Sequence, residues 1–328
     1  MDEVAAARAA AKAEHKRLCA QGDELKIETP TGLISGTLVD RSDKGTDTDN
    51  TPGSRGDIAI MIHGLGSHRN MRFFPMLADT LPASSYRFDI QGHGKSTGEF
   101  SLSYKRDVET LEYIITHLEG MGFSVTDLIG HSKGANIVLS MHQSPLPSLR
   151  HLFICSSRHD MLGRPKGRYS DAQRKTLAET GCFRHTFSKY TGEVTVRGCD
   201  MKEREQIDMD RDHLAKWGER EARRAQEGYT PLKATVVHGR ADTVIPYVDA
   251  ERIRDGLERV GVACALFPLG PPKADGVEGE REGEIETPQI GEVEGEREEE
   301  EEEKPCDHMF AGYEKAVADI VMGVINAR

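Results

Sequence analysis

Two segments of this chain set a serine between glycines in the spacing Gly-x-Ser-x-Gly: Gly94-Lys95-Ser96-Thr97-Gly98 and Gly130-His131-Ser132-Lys133-Gly134. A serine hydroxyl is a weak nucleophile until a positioned base takes its proton, so the pentapeptide alone decides little. Context separates the two. Ser132 follows an apolar run, Val125–Ile129, and precedes an apolar helical pattern, Ala135–Met141. A strand–turn–helix elbow there pushes a serine into a strained, exposed position, and flanking glycines let strand and helix pass closely. Ser96 is followed by Glu99-Phe100-Ser101, with no comparable helix start. Ser132 is the candidate nucleophile.

The base of such a serine needs an orienting carboxylate. On a sheet carrying an elbow of this kind the chain order is serine, acid, histidine. Asp242 stands in the turn Gly239-Arg240-Ala241-Asp242 after the apolar run Ala234–His238, at a strand end where catalytic groups collect. Asp160, after the run His151–Cys155, is the alternative acid. Of the 13 histidines only His308 follows Asp242. The two are 66 residues apart, and setting aside a 34-residue acidic stretch leaves 32, room for a helix, a strand and a loop. Asp307 is a poor acid for His308, because adjacent loop side chains point apart. Two backbone N–H groups must receive the charge that develops on a substrate carbonyl. The candidates are Lys133, next to the nucleophile, and Leu65 in His63-Gly64-Leu65-Gly66, after the run Ile58–Ile62. This chemistry asks for no metal and no organic cofactor.

The elements that must position these groups are legible as short apolar runs. Ile58–Ile62, Tyr86–Ile90, Val125–Ile129, His151–Cys155, Ala234–His238 and Ala263–Phe267 read as strands buried on both faces. Helical patterns such as Lys105–Met121 and Ala135–His142 lie between them. The alternation predicts an α/β fold, a mostly parallel central sheet with helices on both faces. Glu24–Glu28 and Gly32–Val39, around the turn Pro30-Thr31-Gly32, predict an antiparallel edge hairpin. A final helix is expected over Met309–Ile325. Residues 158–230 break the rhythm and predict a small inserted cap, with a hairpin over Thr186–Val196 and polar helix over Lys202–Gln226. The expected organisation is an N-terminal helical extension over 1–22, a core over 23–157 and 231–328, the cap over 158–230, and an insertion over 271–304 inside the core.

Charge is unevenly spread. The chain of 328 residues has a net charge of −12, and residues 271–304 hold 15 acidic and 4 basic residues of it. That stretch has too little apolar content to bury itself and is expected to be disordered. The remainder is nearly neutral, which argues against a nucleic-acid binder. No stretch approaches the ~20 apolar residues of a membrane span. The six cysteines lie far apart with no Cys-x-x-Cys pair, so free thiols are expected. Met1–Gln21 lacks a signal-peptide pattern, and the expected location is cytoplasmic.

These features together resemble the α/β-hydrolase superfamily from about residue 25 onward. Within it they are similar to the cinnamoyl/feruloyl-esterase and serine-aminopeptidase-like (hydrolase 4) group. The residues concerned are His63–His68, Phe88–Gly98, Gly130–Gly134, His238–Pro246 and Asp307–Phe310. The resemblance implies that Asp89–Gly94 floors the active site and that Ser96 is structural. It also implies a serine esterase acting on small carboxylic esters, with a monoacylglycerol lipase or a serine peptidase as alternatives on the same machinery. Two departures stand out: Lys133 replaces the more usual Gln or Met, needing only its backbone N–H, and the acidic insertion precedes His308. In the cap, Arg164, Lys166, Arg168, Phe183, Phe187 and Tyr190 are candidates for substrate choice. A non-catalytic binding protein on the same fold would show a broken triad or elbow, and neither is seen. The acidic insertion could also recruit a basic protein partner.

Overall fold

The computed structural model describes residues 2–42, 54–71, 73–144, 146–162, 168–271 and 306–327. Among these, one eight-stranded sheet is built from β1 (Asp23–Thr29), β2 (Gly32–Val39), β3 (Gly56–Ile62), β4 (Ser84–Phe88), β5 (Phe123–His131), β6 (His151–Cys155), β9 (Lys233–Gly239) and β10 (Ala263–Leu269). Its order is β1-β2-β4-β3-β5-β6-β9-β10. Only β2 runs against the rest, pairing antiparallel with both β1 and β4. The expected edge hairpin is present, and the α/β reading of the runs holds throughout.

The strands are continuously apolar because both faces are covered. In β3, Ile58, Ile60 and Ile62 face one core, while Ala59 and Met61 face the other. The first core includes residues of α3 (Tyr104–Gly120), α4 (Lys133–Ser140), α7 (Ala215–Gln226) and α8 (Tyr247–Arg259). The second is closed by α2 (Phe73–Thr80) and α9 (Glu314–Asn326). The N-terminal α1 (Asp2–Cys19) is tied to the sheet by Arg87. This fully buried guanidinium donates to the carbonyls of Leu18, Cys19 and Gln21 at the end of that helix.

Register aligns the strand ends that carry the candidate residues. Ile62 at the end of β3 lies opposite Phe88 of β4 and Gly130 of β5. His131 lies opposite Cys155, and Cys155 opposite Val237. The loops starting at His63, Asp89, Ser132, Ser156 and Arg240 therefore leave the sheet along one edge.

The inserted segment after β6 divides in two. Its first part holds α5 (Asp171–Thr180), the hairpin β7 (Cys182–Thr186) and β8 (Glu193–Arg197), and α6 (Gly198–Glu205). Tyr169, Phe183, Val194, Val196 and Met201 cluster there with Phe100 and Leu102, capping the C-terminal strand ends. The second part, a π-helical turn at Met209–Leu214 and then α7, joins the main core instead. Trp217 donates its indole N–H to Leu139 O at 2.8 Å. Arg220 and Arg224 donate to carbonyls of 141, 146 and 149. A polar helix was expected here, and its polarity is real. Its arginines are buried because they satisfy carbonyls at the end of the neighbouring helix and loop.

Two boundaries differ from expectation. β7 starts at Cys182, so the hairpin loop spans 187–192. α9 starts at Glu314 instead of Met309, because Phe310 has φ 55° and Gly312 φ 81°, which no α-helix contains. From residue 272 on, the acidic insertion lies outside the described residues, as do Arg164 and Lys166. Its described ends meet: a Cβ on Gly270 would lie 2.8 Å from Cys306 N. All six cysteines are free thiols. Among the described residues, no helix is long and apolar enough to cross a membrane.

Candidate active site

Ser132 is the single residue between β5 and α4. Its φ of 55° and ψ of −117° lie where side-chain-bearing residues rarely go, a conformation costing about 1–3 kcal/mol. Neighbouring hydrogen bonds hold it there. Ser132 N donates to Cys155 O at 2.8 Å, and Ala135 N and Asn136 N donate to Ser132 O at 3.0 and 3.2 Å. The elbow also depends on close approach to β3, since a Cβ on Gly134 would fall 2.0 Å from Ile62 O.

The structure brings Ser132, His308 and Asp242 into one hydrogen-bonded chain. Ser132 Oγ is 3.0 Å from His308 Nε2, and His308 Nδ1 is 2.7 Å from Asp242 Oδ2. Asp242 has a fully buried side chain. Burial alone would raise its pKa. Hydrogen bonds from His238, His308 and the Ile245 N–H override that and hold it well below the usual carboxylate range. An ionised Asp242 only accepts, so Nδ1 of His308 carries the proton and Nε2 is free to accept from the serine. The other carboxylate oxygen accepts from Val244 N and Ile245 N, both at 2.8 Å.

His308 is held at several points despite the long insertion before it. Cys306 O accepts from Ala241 N at 3.3 Å, and His131 Nε2 lies 2.8 Å from His308 O. Asp307 Oδ1 accepts from Met309 N and Ala311 N, so its carboxylate turns away from the site. Asp160 is exposed and caps its own turn through Leu162 N.

Leu65 sits in a loop whose neighbouring peptides are held at Gly64 O, Gly66 N and Gly66 O. Ile90 N donates to His63 Nε2 at 2.9 Å, which leaves Nδ1–H of His63 to donate to Gly64 O at 2.7 Å. A trans peptide points its N–H opposite to its carbonyl. Fixing Gly64 O against His63 thus turns the Leu65 N–H the other way, and a Cβ on Gly64 would lie 2.9 Å from Ser132 Cβ. Gly66 N donates to His93 Nε2 at 3.2 Å. Burial pushes His63, His93 and His131 down to about 3, so all three are neutral positioning groups. The N–H of Lys133 is the first of α4 and so has no partner within its helix.

The Lys133 side chain does more than sequence reasoning asked of it. Its ammonium is buried, 2.6 Å from Asp107 Oδ2 of α3 and 2.9 Å from Ser101 O. Ser101 Oγ in turn donates to Asp200 of α6 at 2.7 Å. His238 was also missed: its Nε2 lies 3.0 Å from Ile245 O and 3.3 Å from Asp242 Oδ2. The available signal was a polar residue ending an apolar strand four positions before the candidate acid. Ser96 is structural, accepting from Ser35 N at 2.9 Å and donating to Asp89 O. Asp89 itself receives Arg69 N at 2.7 Å and Lys95 N at 3.0 Å, which fixes the loop floor.

No protein-family model and no curated protein sequence matches the chain. Solved structures do. Est1E from Butyrivibrio proteoclasticus, in its complex with ferulic acid, superposes with a TM-score of 0.62 at 16% identity, over 92% of this chain and 98% of that one. An esterase from Exiguobacterium antarcticum gives a TM-score of 0.54 at 15% identity, over 93% of this chain and 100% of that one. At these identities the likeness is one of fold, and the fold is that of the α/β-hydrolases.

Proposed function

We propose that this protein is a serine hydrolase that cleaves small carboxylic esters. The observation that carries the proposal is the unbroken chain Ser132–His308–Asp242 on a strained elbow. His308 Nε2 takes the Ser132 proton as Oγ attacks the ester carbonyl. The N–H groups of Leu65 and Lys133 receive the oxyanion. His308, now protonated and facing ionised Asp242, gives its proton to the leaving alkoxide. Water then attacks the acyl-enzyme, with His308 again as base, and carboxylic acid and free serine result. The likeness to Est1E, which binds ferulic acid, supports aromatic acyl groups as the first to try. The cap cluster agrees, since Phe187 and Phe100 stack beside Leu65.

Labelling by a fluorophosphonate probe tests this, with the adduct located by mass spectrometry. Wild type should carry the adduct on Ser132, and Ser132→Ala should carry none. Ester turnover in the variant should fall by about 10⁴–10⁶-fold. A folded Ser132→Ala keeping more than about a tenth of the rate would remove the assignment. A panel varying acyl length and aromaticity, with acylglycerols and peptides included, separates the esterase from lipase and peptidase specificities.

A further inference from the structure

The β7–β8 turn of the cap reaches across to the loop that carries Leu65. Ser188 Oγ accepts from Tyr190 N at 3.0 Å, which orients its single proton toward Gly66 O, its other partner. Phe187 packs on the same peptide: a Cβ on Gly66 would lie 3.1 Å from Phe187 Cβ. The Tyr190 ring lies 3.9 Å from the His68 ring, centroid to centroid. Tyr190 O accepts from Gly94 N at 2.8 Å, in the floor loop after β4. Four contacts from one short turn thus fall on residues 66, 68 and 94. None of them reaches Ser132, His308 or Asp242.

We propose that this turn is a clamp on the oxyanion loop and that Ser188 is its positioning residue. The proposal rests on the serine-hydrolase reading above and adds a role for the cap beyond choosing substrates. The Leu65 N–H lies in the Gly64–Leu65 peptide, and bonds to that peptide and to the two that follow it set its direction. His63 fixes Gly64 O on one side. On the other, His93 receives Gly66 N and Ser188 donates to Gly66 O. The first two of these groups belong to the core loops after β3 and β4. Ser188 alone comes from the inserted segment, so the cap and the oxyanion donor are mechanically one unit. A donor that is aimed in advance acts on charge that exists only in the transition state, so its loss appears in kcat more than in KM.

The test compares wild type, Ser188→Ala and Ser188→Thr. Peptide-level hydrogen exchange reads the clamp without reference to activity. Ester kinetics read its consequence. In Ser188→Ala, amides of residues 64–68 should exchange at least several-fold faster while β3 and β5 keep wild-type protection. On an ester that wild type turns over, kcat should fall about 10- to 100-fold, less than the ~10²–10³ that losing a whole oxyanion donor costs, with KM changed less than about 3-fold. Ser188→Thr keeps the hydroxyl and should restore both readouts. Unchanged exchange at 64–68, exchange that rises throughout the core, or faster local exchange with unchanged kcat would each overturn the clamp. A wild type that turns over no ester defeats the hydrolase reading, and the exchange comparison still decides the clamp.

Discussion

The ion pair between Lys133 and Asp107 gives a sharp test of how the elbow is supported. Its side chains are 5% and 6% exposed, and its atoms are 2.6 Å apart. At an effective dielectric of 20 the attraction is about 6 kcal/mol. Desolvating two ions costs several kcal/mol each, so the net value of the intact pair is near zero. Removing one partner is different, because it strands the other charge in the core. Lys133→Met should therefore lose about 3–5 kcal/mol of stability, read from the urea midpoint at unchanged m-value. The double variant Lys133→Met/Asp107→Leu should return to within about 1–2 kcal/mol of wild type. The deficit of the single variant should also depend on pH. Burial pushes the Asp107 pKa up, and Lys133 is the main group opposing that. Without Lys133 the folded state holds the Asp107 proton more tightly than the unfolded state does. Stability from such a group is present at low pH and lost as pH rises, so the deficit should shrink between pH 8 and pH 5. Single effects that simply add in the double variant, or a deficit flat with pH, would refute the reasoning.

Asp242→Asn should slow ester turnover by about 10⁴-fold, less than the ~10⁶ expected for His308→Ala. The Val244 and Ile245 N–H groups fix an acceptor on the Oδ1 side, so the carboxamide must turn its NH₂ toward His308 and force the wrong tautomer; steady-state rates of the two folded variants decide this. The neutral burial of His63, His93 and His131, each near 3 against about 6.5 unfolded, makes the unfolded state the stronger proton binder. Stability should fall as pH drops below about 6.5, by about 2 kcal/mol per histidine at pH 5, visible as a falling urea midpoint. A midpoint flat from pH 7.5 to 5 would contradict their burial. Asp242 acts in the same direction but contributes nothing in this window, because its depressed pKa adds stability that is lost only as pH falls below the usual carboxylate range. Replacing residues 272–305 with a short Gly/Ser link should leave kcat within about 3-fold, since Gly270 and Cys306 already adjoin. A 100-fold loss there would mean that the segment itself supports the site.

How much of this was legible in the sequence depends on the range of the interaction concerned. The strands were legible because burial on both faces leaves almost no polar residue in them, as in Ile58–Ile62. Ser132 was legible because the tight elbow demands glycine at 130, where a Cβ would fall 2.4 Å from Gly134 O, a constraint local in the chain. His238 and Lys133 Nζ were not, because their partners are set by tertiary packing. Lys133 looks like a surface residue until α3 brings Asp107 to it. The same holds for α7, whose arginines look solvated but bond carbonyls 74–79 residues away.

The acidic insertion stands directly before His308, and a histidine proposed as a base must be held to within a fraction of an ångström. The register supplies an answer. Leu269 O, before the insertion, accepts from Arg240 N at 2.9 Å; Cys306 O, after it, accepts from Ala241 N at 3.3 Å. Both ends are thus bonded to consecutive residues of the turn that carries Asp242. His131, next to Ser132, then holds His308 O from the other side. The loop bearing His308 is therefore anchored to the turn that carries Asp242 and to the elbow. Loop-closure entropy grows only slowly with length, each doubling costing about 0.6 kcal/mol. An insertion entered and left at one point therefore adds length without moving the imidazole, and the geometry of Ser132, His308 and Asp242 becomes a property of the sheet edge.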